Sequence, residues 1–178
     1  TIRSMAKALY TTKNIGHFGL AFKFYTHFTS PIRRYPDLMA HRLLAKHLNG
    51  TPISAQESAK YERLAVQSSA REMDAVDAER TSIKYKQVEF MQAKVGQVFP
   101  AIITGTADWG IYVEEKNSKA EGLVRMASMK KDFFEHDKAQ YSIKGQRTKQ
   151  RYRLGDEVQV KLVRANLEDR TLDFELVS

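Results

Sequence analysis

At 178 residues the chain has room for one large domain or two small ones, and 42% hydrophobic content is enough for real cores. Its 29 basic and 21 acidic residues leave a net charge of +8, with a pI of about 9.6, and that balance favours a polyanionic partner. The absence of cysteine excludes a disulfide framework and a thiolate metal site, and no apolar run approaches the ~18 residues of a membrane span. The excess charge is uneven: residues 1–95 hold 15 Lys/Arg against 8 Asp/Glu, and residues 96–178 hold 14 against 13. With no signal-peptide pattern at the N-terminus, a cytoplasmic location is expected.

Residues 1–94 read as helical, interrupted by a loop over residues 16–36. Within it, residues 25–41 read YTHFTSPIRRYPDLMAH. Pro31 and Pro36 bracket Ile32, Arg33, Arg34 and Tyr35, and proline fixes its own φ while restricting the residue before it. Pro36 suits the first helical position and Asp37 the first turn, so a helix carrying Leu38, Met39, His41, Arg42, Leu43 and Leu44 is expected to start here. Two arginines, an aromatic ring and the hydroxyls of Thr29 and Ser30 then meet in one turn. Arginine offers a planar fork of donors matched to phosphate oxygens. The plain alternative is a pair of solvated or salt-bridged arginines.

Ser54 and Glu57 have the spacing of a capping box. No Pro or Gly follows until Gly96, so one long helix or two nearly continuous ones is expected, ~60 Å in length. Such a helix should pack against something larger than the rest of this chain. Glu72, Val76, Glu79 and Ile83 share one of its faces, and Asp74 and Asp77 lie one turn apart on another. The last pair is a poor metal site, since no histidine accompanies it.

After Gly96 the period changes to two. Residues 98–104, 111–114, 121–125, 158–163 and 172–176 read as five strands. Five short strands in about 80 residues suggest a Greek-key barrel of the oligonucleotide-binding type, the OB-fold. Leu172, Phe174 and Leu176 should face the core. The expected class is therefore α followed by all-β, with domains at 1–95 and 96–178. Phe99, Trp109 and Tyr112 lie on or beside the first two strands, where ring faces could stack on single-stranded bases. Tyr112 is out of phase with Ile111 and Val113, which claim the interior; Phe99 could serve either the core or the groove. Lys161, Arg125 and Arg170 could follow a nucleic-acid backbone. Residues 126–154 form an insertion with eight Lys/Arg and three Asp/Glu, read as a basic loop, either solvated or beside the groove.

GHFGL at residues 16–20, followed by YTHFTSPIRRYPDL, closely resembles the signature of the ribonuclease II and ribonuclease R family. These are processive hydrolytic exoribonucleases that work from the 3′ end. GQVFPAIITGTADWGIYVEE, EGLVRM and LGDEVQVKLVRANLEDRTLDFEL resemble the RNA-binding domain named after ribosomal protein S-one. YSIKGQRTKQRYRLGD, at the end of the insertion and just beyond it, is closer to the ribonuclease R branch. The resemblance implies that residues 1–95 are the end of an RNB catalytic domain. It implies Arg33 as a contact to the scissile phosphate and Glu79, in REMDAVDAER, as a contact to the terminal nucleotides. Arg34 and Tyr35 follow as weaker contacts. Trp109 and Tyr112 match the family's two aromatic positions, and Arg170 its basic position near the last strand. Arg125 stands where a histidine is usual, and Asn166 where an aspartate is usual.

The family hydrolyses single-stranded and structured RNA to 5′-monophosphate nucleotides, using magnesium held by clustered aspartates. No Asp-x-Asp-Asp arrangement occurs here, so the resemblance implies Mg2+ ligands outside this chain, which would be a monomeric part of a longer enzyme that binds single-stranded RNA without cutting it. The alternative from another class is a non-catalytic single-stranded RNA-binding module. His17, His27 and His41 are expected to orient or pack rather than to ligate.

Overall fold

The computed structural model describes residues 9–130 and 132–177. The chain divides into two compact units, Thr1–Ala78 and Glu79–Ser178. This division falls inside a helix, upstream of the change in sequence period at Gly96.

In the first unit a short 3-10 helix, Phe18–Leu20, precedes α1, Tyr35–Leu48, and α2, Ala55–Gln92. Pro36 sits in the first turn of α1, whose N-cap Arg34 is extended and makes no side-chain cap bond. The helix stops at Gly50, whose φ of 67° lets the Thr51 N–H reach back to the Lys46 carbonyl. α2 is unbroken over 38 residues, ~57 Å of rise. Only half of the expected capping box forms: Ser54 Oγ accepts from the Glu57 N–H at 3.1 Å, while the Glu57 carboxylate takes Lys46 Nζ at 2.5 Å. An available cation on α1 outcompetes the local backbone donor. Residues 70–86 of α2 are all exposed, Met73, Val76 and Ile83 among them.

In the second unit the end of α2 joins a closed barrel. Val88 and Met91 are buried in its core, and Gln87 Nε2 donates to the Ser118 and Lys119 carbonyls. The strands are β1, Val98–Ala107; β2, Gly110–Glu115; β3, Glu121–Arg125; β4, Phe134–Asp137; β5, Ser142–Gly145; β6, Arg151–Arg153; β7, Glu157–Asn166; and β8, Thr171–Leu176. The barrel order is β1-β2-β3-β8-β7, antiparallel except for the β3–β8 pair. All five expected strands form it, and the mixed helical and barrel class holds. Ala101, Ile103, Ile111, Val113, Val124, Val160, Leu162, Leu172 and Phe174 are buried at its centre, in the alternation that a half-buried strand requires. Leu176 is only partly buried against them.

Residues 126–154 correct the sequence reading. They are no loop: β4, β5 and β6 make an antiparallel three-stranded sheet. Ile143 contributes a fully buried side chain to the barrel core, and Phe134 and Tyr152 pack beside it. Its charges hid it, because strands of three or four residues show too few alternations to register as a period. Among the described residues no helix is long and apolar enough to cross a membrane.

Candidate nucleic-acid interface

Each unit carries a candidate site of its own. In the first, the Ser30 carbonyl accepts from the Arg33 and Arg34 N–H groups at 3.3 and 2.9 Å, closing the turn. Asp37, with no exposed side chain, accepts from the Ser30 N–H at 2.8 Å and from Arg34 Nη2 at 3.0 Å. Burial would raise its carboxyl, but the Ser30 N–H and the Arg34 charge outweigh that and hold it below the usual range. Arg34 Nη1 also donates to His27 Nδ1 at 3.0 Å, since a guanidinium can only donate.

The two arginines therefore differ. Arg34 is half-buried and committed to Asp37 and His27, whereas Arg33 is exposed, with one 3.4 Å bond from Nη2 to Ser30 Oγ. Thr29 and Tyr35 are exposed beside them. The histidines are engaged by loop atoms: His17 Nδ1 accepts from the Leu20 N–H, and His41 on α1 donates from Nε2 to the Phe28 carbonyl at 2.7 Å while stacking on its ring.

Arg33, Arg34 and Tyr35 line a cleft of about 640 Å³ together with Tyr10, Arg71 and Glu72. Burial, then the bond to Glu72, pushes the Tyr10 hydroxyl up to about 12, so it stays a donor. The sequence alone does not mark Asp37, Tyr10 or Arg71 as site residues. Asp37 reads in sequence as a helix-dipole partner, and the other two carry no local signal. Glu79 is exposed on α2, in the second unit. Arg71 and Asp74 form an exposed ion pair, and among the described residues no three His, Asp or Glu side chains could hold a metal ion. The described residues therefore do not fit a magnesium site.

On the barrel, Ala107 pairs with Gly110, so Asp108 and Trp109 are the whole β1–β2 loop. Gly110 has φ 153°, and a Cβ there would meet the Val124 carbonyl oxygen at 2.1 Å. Trp109 is 59% exposed, and its indole N–H donates to the Tyr112 hydroxyl at 3.1 Å. Tyr112 lies between Gly105 and Leu123 on the outer face. Trp109, Leu123, Arg125, Met126 and Ala127 surround a shallow depression, and Arg125 Nη2 reaches Asp173 at 3.2 Å.

Three expected contacts lie elsewhere. Phe99 shares the phase of Ala101 and Ile103 and packs against the core, which takes it off the outer face. Lys161 faces out but pairs with Val98 and Glu175 rather than with the aromatic row. Arg170 is exposed in the β7–β8 turn at φ 55°. The parallel register of β3 and β8 places that turn toward the Glu121 end of β3, whereas Trp109 lies at the Arg125 end. Asn166 caps the same turn, accepting from the Glu168 and Asp169 N–H groups.

The sequence matches the RNB domain model over residues 1–50 and the S1 RNA binding domain model over residues 92–176. It is 40% identical over 178 residues to ribonuclease R of Aquifex aeolicus, covering 99% of this chain and 25% of that protein. The chain belongs to the ribonuclease R family. Ribonuclease R of Escherichia coli is 37% identical over 188 residues, covering 99% of this chain and 23% of that protein. The apo form of Mycoplasma genitalium RNase R superposes with a TM-score of 0.89 at 29% identity, over 98% of this chain and 28% of that one. The same RNase R in complex with ribose methylated single-stranded RNA gives 0.87 at 28% identity and the same coverage. The chain thus spans about a quarter of the ribonuclease R relatives it matches.

Proposed function

We propose that the chain is the RNA-gripping part of a processive 3′-to-5′ exoribonuclease that releases 5′-monophosphate nucleotides. The observation that carries this reading is the Trp109–Tyr112 pair, two hydrogen-bonded aromatic side chains on the outer face of an OB barrel. Such rings stack on bases of any identity, at about 1–3 kcal/mol per base. Arg125 beside them follows the backbone, whereas Lys161 and Arg170 lie off the aromatic row. Phe99 supports the face from within.

In the first unit Arg33 presents its fork to a phosphate, while Thr29, Ser30 and the Asp37-held Arg34 fix the turn, with Tyr35 alongside. Glu79 contacts the terminal nucleotides, as the family resemblance implies. Magnesium chemistry has no ligand set among the described residues. A second reading takes the chain as a non-catalytic single-stranded RNA-binding module.

Fluorescence anisotropy with a labelled oligouridylate, together with an assay for mononucleotide release in magnesium, tests both. The expected result is salt-sensitive binding that falls in Trp109→Ala and in Tyr112→Ala, without nucleotide release by the 178 residues alone. Unchanged affinity in both variants rejects the stacking face; nucleotide release rejects the assignment of the metal ligands to residues outside this chain.

A further inference from the structure

The inserted sheet reaches the β1–β2 hairpin through His136, with Lys138 beside it. His136 on β4 places Nδ1 2.8 Å from Asp108 Oδ1 and Nε2 3.2 Å from Thr106 Oγ1. It thereby spans the end of β1 and the loop that follows. Lys138, two residues on, puts Nζ 2.9 Å from the other carboxylate oxygen of Asp108. The His136 bond, then Lys138, holds the Asp108 carboxyl below its usual range, so it remains an anionic acceptor. Although the hairpin tip is exposed, the His136 side chain is only 11% accessible.

Asp108 is the sole loop neighbour of Trp109. In a two-residue loop closed by the Ala107–Gly110 pair, the two residues share a few soft dihedrals, and their Cα atoms lie ~3.8 Å apart. Fixing Asp108 therefore restricts the backbone that carries the indole. An exposed hairpin tip is otherwise among the more mobile parts of a fold, and a ring ordered in advance loses less entropy when a base stacks on it.

We propose that His136 is a positioning residue for nucleic-acid binding: through Asp108 it orders Trp109 in its stacking pose, so the inserted sheet tunes RNA affinity without touching RNA. This inference rests on the single-stranded RNA reading of the aromatic face.

The chain contains a single tryptophan, so Trp109 reports on itself. Binding of an oligouridylate of about 12 nucleotides is titrated by anisotropy for wild type, His136→Ala, Trp109→Ala and the double variant, and acrylamide quenching of the indole is measured without RNA. His136→Ala is expected to weaken binding about two- to tenfold, the loss for one side chain that must be ordered on binding. It should also raise quenching at an unchanged melting temperature. The double variant should bind no more weakly than Trp109→Ala, because the effect runs through that ring.

An equal further loss from His136→Ala in the Trp109→Ala background overturns the inference. So does wild-type affinity in His136→Ala when Trp109→Ala binds weakly. Trp109→Ala with wild-type affinity overturns the stacking reading and this inference with it. If His136→Ala melts the inserted sheet, Thr106→Val and Asp108→Asn, each of which weakens one arm of the clamp, carry the same test.

Discussion

Arg33 and Arg34 are adjacent and chemically identical, yet the structure gives them opposite tasks. Arg34 directs its two Nη groups at Asp37 and His27, and the rigidity this confers leaves Arg33 as the presented fork. Sequence reading placed both in a phosphate-holding turn and could not separate them, because the decision lies with Asp37, whose burial depends on the chain folding back over α1. Asp37→Ala should destabilise the first unit by about 3 kcal/mol, since it leaves the Arg34 charge without its partner. Urea unfolding followed by circular dichroism measures the loss. The pH dependence has a definite sign: the folded carboxyl titrates below the unfolded one, so its contribution is complete above the unfolded value of about 3.9. It disappears as pH falls through the lower folded value. The stability gap between wild type and Asp37→Asn should therefore close on acidification below about pH 4.

The inserted sheet turns on Asp132, whose carboxylate accepts from the Thr148 hydroxyl and N–H at 2.6 Å each and from the Arg147 and Phe133 N–H groups. The Thr148 hydroxyl and these N–H groups, set against burial, hold its carboxyl far below the usual range. Gly145 makes the packing possible, because a Cβ there would stand 2.5 Å from Asp132 Oδ2. Gly145→Ala should accordingly open the sheet while the barrel survives, seen as faster hydrogen exchange at Ile143 and Lys144 with Val113 and Val124 still protected. Protection in wild-type β5 should stay flat on acidification through pH 5 and fall below about pH 4. None of this is legible in the sequence. The five barrel strands are, because Ile111, Val113, Leu172 and Phe174 alternate strictly with polar residues. The inserted strands instead bury one Ile among lysines and arginines, and their order comes from a carboxylate binding backbone N–H groups at a distance in sequence.

At the scale of the molecule, the basic excess lies in residues 1–95 and the exposed aromatic pair lies on the barrel. On the proposed RNA-binding reading, the two contributions to affinity should therefore separate by salt. Arg33→Ala is expected to reduce the slope of log K against log salt by about one, as for a lost phosphate contact. Trp109→Ala should lower affinity by about 1–3 kcal/mol with the slope unchanged. Binding isotherms at four salt concentrations distinguish these outcomes. The sequence marked a boundary near residue 95 from the change of period, whereas the compact units part at Ala78. The reason is local: Val88 and Met91, ordinary apolar positions of a helix, are claimed by the barrel core. Periodicity identifies the kind of element; its partner is decided by packing.

The parallel β3–β8 pair that closes the barrel has a consequence in time. Barrel closure joins residues far apart in the chain and is intrinsically slow. The inserted sheet forms from neighbours about ten residues apart, and it draws together the ends of the ~30-residue connection between β3 and β7, lowering the closure entropy by on the order of 1 kcal/mol. Refolding from urea should thus be several-fold slower in Gly145→Ala than in wild type, as stopped-flow fluorescence of Trp109 would show. On that expectation the inserted sheet is the splint around which the barrel closes.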